Sequence, residues 1–159
     1  QAQAIRPVMT GTISDASGLM TLEIPRLDVS LPVWSVPYGA QGWDLTWLGS
    51  AAGHLEGTAF PTWTGNSVLT GHSFLANGLP GPFAFLPLLQ WNDRLIVHAF
   101  GQDYIYAVRE VTQVEPDDLS PLRHEELPWL TLISCRGYDP ETDSYRWRTV
   151  VRAVLIEVR

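Results

Sequence analysis

The 159-residue chain has one cysteine, Cys135. An internal disulfide is therefore excluded, and no Cys/His cluster has the spacing of a structural zinc site. Long apolar runs are missing as well. No stretch is long enough to span a bilayer, and none reads as a signal peptide. Basic charge is scarce: the formal net charge is −7. That argues against nucleic acid, whose binding is driven by phosphate neutralisation, and gives no basic membrane-surface patch. The alternation of strands and long helices that builds parallel sheets is absent. So are internal repeats, low-complexity tracts and linker-like boundaries.

What is present fits one globular domain of many short elements. Twelve prolines and thirteen glycines are spread along the chain. Seven tryptophans exceed ordinary core needs, and several are expected to line an apolar groove. Residues 1–18 are polar with little periodicity and read as an extended lead-in, leaving 19–159 as the folded domain. Alternating or apolar runs predict strands at 20–25, 29–36, 66–72, 95–100, 104–114, 129–135 and 145–158. Pro25, Pro32 and Pro37 place the first two at strand ends or edges. Trp43, Trp47 and Leu48 at near-helical spacing predict a short helix in 38–53. Residues 54–65 read as a loop. Residues 83–89 predict one or two helical turns, and 115–128 a long acidic, proline-rich loop. About eight short strands without long helices predict an all-β, closed or nearly closed barrel.

The chain is organised around Trp129-Leu130-Thr131-Leu132-Ile133-Ser134-Cys135. This apolar run ends on the lone thiol and is followed by the turn-forming Arg136-Gly137-Tyr138-Asp139-Pro140. A single cysteine is most often a small buried hydrophobe. What singles this one out is a histidine in a matching setting. Asn66-Ser67-Val68-Leu69-Thr70-Gly71-His72 also ends an apolar strand just before a loop. If the two strands are neighbours, thiol and imidazole meet at one rim of the barrel. Histidine can take the thiol proton or pair with the thiolate. A nearby arginine can donate to a developing oxyanion.

Three ordered motifs then resemble the sortases, cysteine transpeptidases of the bacterial cell surface. Leu69-Thr70-Gly71-His72 is similar to their histidine motif. Thr131-Leu132-Ile133-Ser134-Cys135 is similar to their Thr-Leu-x-Thr-Cys motif, with Ser134 keeping the hydroxyl. Arg148, in Arg148-Thr149-Val150-Val151-Arg152-Ala153, is similar to the family's arginine strand. Gly81-Pro82-Phe83-Ala84-Phe85-Leu86, followed by Asn92-Asp93, is similar to the segment after the histidine. An Asp-Pro-aromatic lid near the start is missing, which sets the chain apart from the pilus-building subgroup.

The resemblance implies an eight-stranded sortase barrel. It implies that Cys135 attacks a backbone carbonyl between Thr and Gly of a Leu-Pro-x-Thr-Gly-like sorting motif, forming a thioester. An amine from a peptidoglycan precursor or a pilin lysine then resolves it. His72 is implied as general acid and base, and Arg148 as the oxyanion and substrate holder. Thr70, Ser134 and Arg136 are the expected substrate-binding residues, Arg136 through its backbone N–H. No cofactor and no metal are expected, although the acidic residues of 115–126 leave calcium open. A soluble domain of a membrane-anchored protein, on the outer face of the bacterial membrane, is the expected setting.

Rival readings differ in chemistry. One is a cell-wall cysteine hydrolase or L,D-transpeptidase, although the Ser-His-Gly-Cys signature of the latter is absent. Another is a non-catalytic, peptide-binding β-barrel with a buried cysteine. Among the other histidines, His98 reads as a wall residue, His124 as solvated, and His54 as preceding a loop. Trp129 and Trp147 flank the two active strands and are candidate groove borders. Arg146, Arg148 and Arg152 share strand parity, so periodicity alone does not choose between them. With unperturbed pKa values, a thiolate–imidazolium pair holds on the order of one per cent of the molecules at pH 7. No carboxylate near His72 in the sequence is placed to orient it.

Overall fold

The computed structural model describes residues 20–139, 141 and 144–159, without the side chains of 135–139 and 144–145. The expected lead-in at 1–18 lies outside the described residues. Eight strands close a barrel. They are β1 (Met20–Ile24), β2 (Val29–Val36), β5 (Ala52–Leu55), β6 (Gly65–Thr70), β7 (Arg94–Ala99), β8 (Gln102–Val114), β9 (Pro128–Asp139) and β10 (Ser144–Val158). The order around the barrel is β1-β2-β5-β6-β9-β10-β8-β7, and β7 pairs back onto β1. A small hairpin, β3 (Tyr38–Gly39) and β4 (Gly42–Trp43), lies outside the barrel. Helical structure among the described residues is three 3-10 turns, Pro25–Leu27, Leu86–Leu88 and Ser120–Leu122. The expected closed eight-stranded barrel is therefore what the chain forms.

Each expected strand is present, within a few residues at its ends. Closure leaves β2 no free edge, yet Pro32 is accommodated. It faces Thr21 of β1, and the pairing with β5 starts only at Val33. Two expectations are corrected. Residues 38–53 form the hairpin and a series of turns rather than a helix. Trp43 and Leu48 pack on the barrel's outside while Trp47 is exposed, so their spacing reflects a wrapped loop. Within 54–65, the strand β5 already includes His54 and Leu55. Its close packing rests on Gly53, where a Cβ would meet a Val36 methyl at 2.6 Å.

Strand alternation divides the apolar residues into two cores. The interior holds Leu22, Leu69, Leu95, Tyr104, Tyr106, Leu130, Leu132 and Val151. A second, smaller core lies on the outer face, where Val68, Ile133 and Val150 meet Val36, Leu48 and Leu55. Leu45 and Leu122, from two loops, cover it. β6 is consequently buried along its whole length. Only Val68 and Leu69 of β6 are apolar; its buried Asn66 and Thr70 are satisfied by hydrogen bonds to the Pro121 and Ile133 carbonyls.

β6 and β9 run parallel, so both strands end at the same end of the barrel. A parallel pair needs a long crossover. Here the crossover carries the β7–β8 hairpin and the loop 115–127, which folds over the outer core.

Candidate active site

The register brings the three motifs together. Thr70 of β6 is level with Ile133 of β9, so His72 and Cys135 each lie two residues beyond a paired position. Cys135 is itself paired with Arg148 of β10. Positions 135 and 148 are thus paired across β9 and β10, and His72 follows two residues after the end of the adjacent β6. Ile133 and Arg148, which flank the backbone of position 135, line the outer wall near the barrel's end.

Backbone sterics fix the turn that carries His72. Its carbonyl accepts the Phe83 N–H at 3.1 Å, and the Ser73 carbonyl accepts the Gly81 N–H at 2.7 Å. A Cβ at Gly81 would lie 2.2 Å from the His72 carbonyl oxygen. A Cβ at Gly71 would meet the Phe83 ring at 2.9 Å. The Gly-Pro-Phe segment is thus a clamp behind the histidine.

The His72 side chain is half-buried. Its Nε2 lies 2.9 Å from the Leu45 carbonyl oxygen. A carbonyl only accepts, so Nε2 carries the hydrogen and Nδ1 is the nitrogen whose lone pair takes a proton. Arg148 is held in a parallel way: its Nε donates to the Pro116 carbonyl at 2.8 Å. The two Nη groups are what remain for a substrate oxygen. The groups orienting the histidine and arginine are therefore backbone carbonyls, one from the loop after β4 and one from the loop after β8.

Between these loops lies a cleft of about 160 Å³. Trp43, Leu45 and Leu55 form one side, Leu119 and Leu122 another, with Thr70, Ile133 and Arg148 at the floor. The walls are mostly apolar, with Asp118 among them, and the cleft carries the Arg148 cation, whose backbone pairs with Cys135. Such a cleft suits an extended peptide with small apolar side chains whose carbonyl must reach a cationic donor.

The substrate-binding expectations fare unevenly. Thr70 lines the cleft, but its hydroxyl donates to the Ile133 carbonyl at 3.0 Å and so ties β6 to β9. Ser134 has its side chain buried, where it shares a 2.5 Å hydrogen bond with Ser73. It braces the strand ends from behind and does not line the cleft. The side chain of Arg136 lies outside the described residues. Trp129 packs against Arg152, with the guanidinium 4.3 Å from its ring centre, and does not line the cleft; Trp43 does.

The three arginines separate clearly. Arg146 is exposed. Arg152, only 6% exposed, is bound to Glu125 at 2.6 Å and lies 3.8 Å from Glu110. Glu125 also pairs with Arg123, which assigns part of the acidic loop to ion pairing. Of the three, Arg148 alone lines the cleft.

The other histidines have separate roles. His54 is buried, with Nε2 hydrogen-bonded to the Ala59 carbonyl at 2.8 Å, and burial holds its pKa below the usual value. His98 bridges Glu23 and Asp103 at 2.8 Å each, far from the cleft. His124 is exposed, as expected.

Residues 22–156 match the profile of the sortase domain. The chain belongs to the sortase family. Sortase A of Corynebacterium diphtheriae, in a lid mutant, superposes with a TM-score of 0.71 at 30% identity, covering 88% of this chain and 70% of that one. Sortase C-1 of Actinomyces oris gives 0.71 at 31% identity, over 87% and 73%. Sortase C1 of Streptococcus agalactiae gives 0.72 at 25% identity, over 91% and 70%. No curated protein sequence matches the chain. Sortases are cysteine transpeptidases of the bacterial cell wall that act on surface proteins and pilins, and this sortase shares that activity.

Sequence reasoning missed the Leu45 and Pro116 carbonyls and most of the cleft wall. Backbone acceptors leave no mark in side-chain identity. The apolar Leu119 and Leu122 inside an otherwise acidic loop were the available signal for the wall.

Proposed function

We propose that this sortase cleaves a Leu-Pro-x-Thr-Gly-like sorting motif through a thioester on Cys135, with His72 as acid and base and Arg148 as oxyanion donor. The observation that carries the reading is the β6–β9–β10 register, which pairs position 135 with Arg148 and ends β6 two residues before His72. Sγ of Cys135 attacks the Thr carbonyl carbon, and its proton passes to Nδ1 of His72. The Nη groups of Arg148 and the backbone N–H of Arg136 take the charge that develops on the oxygen. Collapse breaks the Thr–Gly C–N bond, and His72 returns the proton to the leaving glycine amine. The thioester is then attacked by an amine, whose proton is taken by His72 as the thiolate departs.

The apolar cleft beside Arg148 accommodates the Leu-Pro portion, and the incoming amine approaches from the side the leaving group has vacated. The amine belongs to a peptidoglycan precursor or a pilin lysine. The domain works on the outer face of the membrane and is held there by an anchor. No helix among the described residues is long and apolar enough to cross a bilayer.

The test is turnover of a fluorescence-quenched sorting-motif peptide with and without an added amine. An amine-dependent ligation product supports transpeptidation. Hydrolysis unaffected by any amine would support the hydrolase reading instead.

A further inference from the structure

We propose that Asp44 and Thr46 are positioning residues for His72, acting through the Leu45 carbonyl that lies between them in the chain. This rests on the reading of His72 as the acid and base.

The loop after β4 is built around that carbonyl. Oδ1 of Asp44 accepts the Thr46 N–H at 3.0 Å and the Thr46 hydroxyl at 2.7 Å. The two bonds close a side-chain turn across Leu45. Leu45 then begins a second turn, its carbonyl accepting the Leu48 N–H at 3.1 Å. A carbonyl oxygen has two lone pairs. One serves Leu48, and the other receives Nε2–H of His72 at 2.9 Å.

The flanks are anchored. The Trp43 indole donates to the Glu56 carbonyl at 3.0 Å, and Leu48 is buried in the outer core. Between these anchors, the Asp44–Thr46 bonds set the peptide plane of Leu45. Asp44 and Thr46 are both exposed, and Asp44 has no ion pair among the described residues. The geometry they impose, rather than packing, is what they contribute.

The consequence is chemical. An imidazole free to rotate or change tautomer presents either nitrogen to the substrate. The Leu45 carbonyl selects the form with hydrogen on Nε2 and leaves Nδ1 for proton transfer. The orienting role often taken by a carboxylate is here given to a main-chain oxygen, with the carboxylate of Asp44 one step removed.

The test combines imidazole ¹⁵N NMR with steady-state kinetics. Wild-type His72 should show a protonated Nε2 and an unprotonated Nδ1 at a pH where the ring is neutral. Asp44→Ala should give a tautomer mixture and lower kcat by about ten- to a hundred-fold, as expected of a small misplacement, with KM little changed. Asp44→Asn keeps an Oδ1 acceptor and should retain both the tautomer and most of kcat. Thr46→Val keeps the N–H and should fall between them. Folding is checked by circular dichroism, and the exposed positions make all three variants tolerable. A wild-type ring protonated on Nδ1 overturns the proposal. So does an Asp44→Ala variant with tautomer or kcat unmoved. The NMR readout does not depend on turnover: should His72→Ala stay active while the tautomer answers to Asp44, the acid–base assignment fails and the positioning stands.

Discussion

Replacing Gly81 with alanine should disable the enzyme from outside its cleft. The backbone at Gly81 is not in the left-handed region, so alanine brings no conformational penalty of its own. The obstacle is contact alone. The new Cβ would lie 2.2 Å from the His72 carbonyl oxygen, 2.8 Å from its carbon and 3.2 Å from the Ser73 carbonyl carbon. All three are main-chain atoms, so no side chain can swing aside. Relief requires moving the 71–73 turn away from 81–83. That strains or breaks the Gly81-to-Ser73 and Phe83-to-His72 hydrogen bonds. Overpacking costs about 1–3 kcal/mol. Each lost bond adds about 0.5–1.5 kcal/mol. A total near 3 kcal/mol lowers Tm by about 6–12 °C for a chain of this size. The histidine shifts as well, and a displacement of about 1 Å at a catalytic group reduces kcat/KM by about a hundredfold. Gly39→Ala is the control, since its Cβ would meet only the Gly42 carbonyl oxygen at 3.7 Å. The assay is thermal melting by circular dichroism with kcat/KM on the quenched peptide. Wild-type Tm and activity in Gly81→Ala would refute the clamp.

Arg148→Ala should lower kcat/KM by about 10²–10³, and Arg148→Lys should rescue poorly. One ammonium cannot reproduce the fork that holds Pro116 with Nε and the oxyanion with Nη. Arg152→Ala should instead lower stability by about 1.5–3 kcal/mol, the worth of a charge-assisted hydrogen bond, since Glu125 keeps Arg123, with kcat in the folded fraction changing less than about tenfold; urea unfolding and kinetics separate the two. His98→Gln should weaken stability at pH 5.5 and hardly at pH 9. The hydrogen bond to Glu23, helped by Asp103, raises the His98 pKa. Its contribution is therefore full below about pH 6.5 and is lost as pH rises through the folded value. Equal losses at both pH values would contradict that assignment.

The parts of this sortase legible in its sequence are those where local pattern and tertiary environment agree. Leu130, Leu132, Ile133, Val68 and Leu69 are apolar because the barrel and the loops bury both faces of their strands, so the strands and their chemically loaded ends stood out. The turn at Gly81-Pro82 was visible, but its contact with the His72 backbone was not. That contact depends on where the main chain folds back. The helix expected in 38–53 arose because Trp43, Trp47 and Leu48 mimic helical spacing, whereas the hairpin and turns bring two of them onto the outer core. β5 was hidden by its shortness and by a histidine at an interior-like position. Parity placed Arg152 beside Arg148. Only the loop 115–127, folding over the outer wall, buries one and leaves the other at the cleft. Ser134 followed the same logic in reverse: its neighbourhood in sequence to Cys135 suggested substrate contact, while alternation turns it away.

The central claim is that Cys135, on the strand between those that lead to His72 and carry Arg148, carries the acyl group. Mixing the wild-type protein with a Leu-Pro-x-Thr-Gly peptide, quenching with acid and weighing the intact protein tests it directly. The expected spectrum shows an adduct of the peptide's mass through Thr, mapped to Cys135 by proteolysis, sensitive to hydroxylamine and absent from Cys135→Ala. An adduct on another residue, or peptide turnover by folded Cys135→Ala, would contradict it.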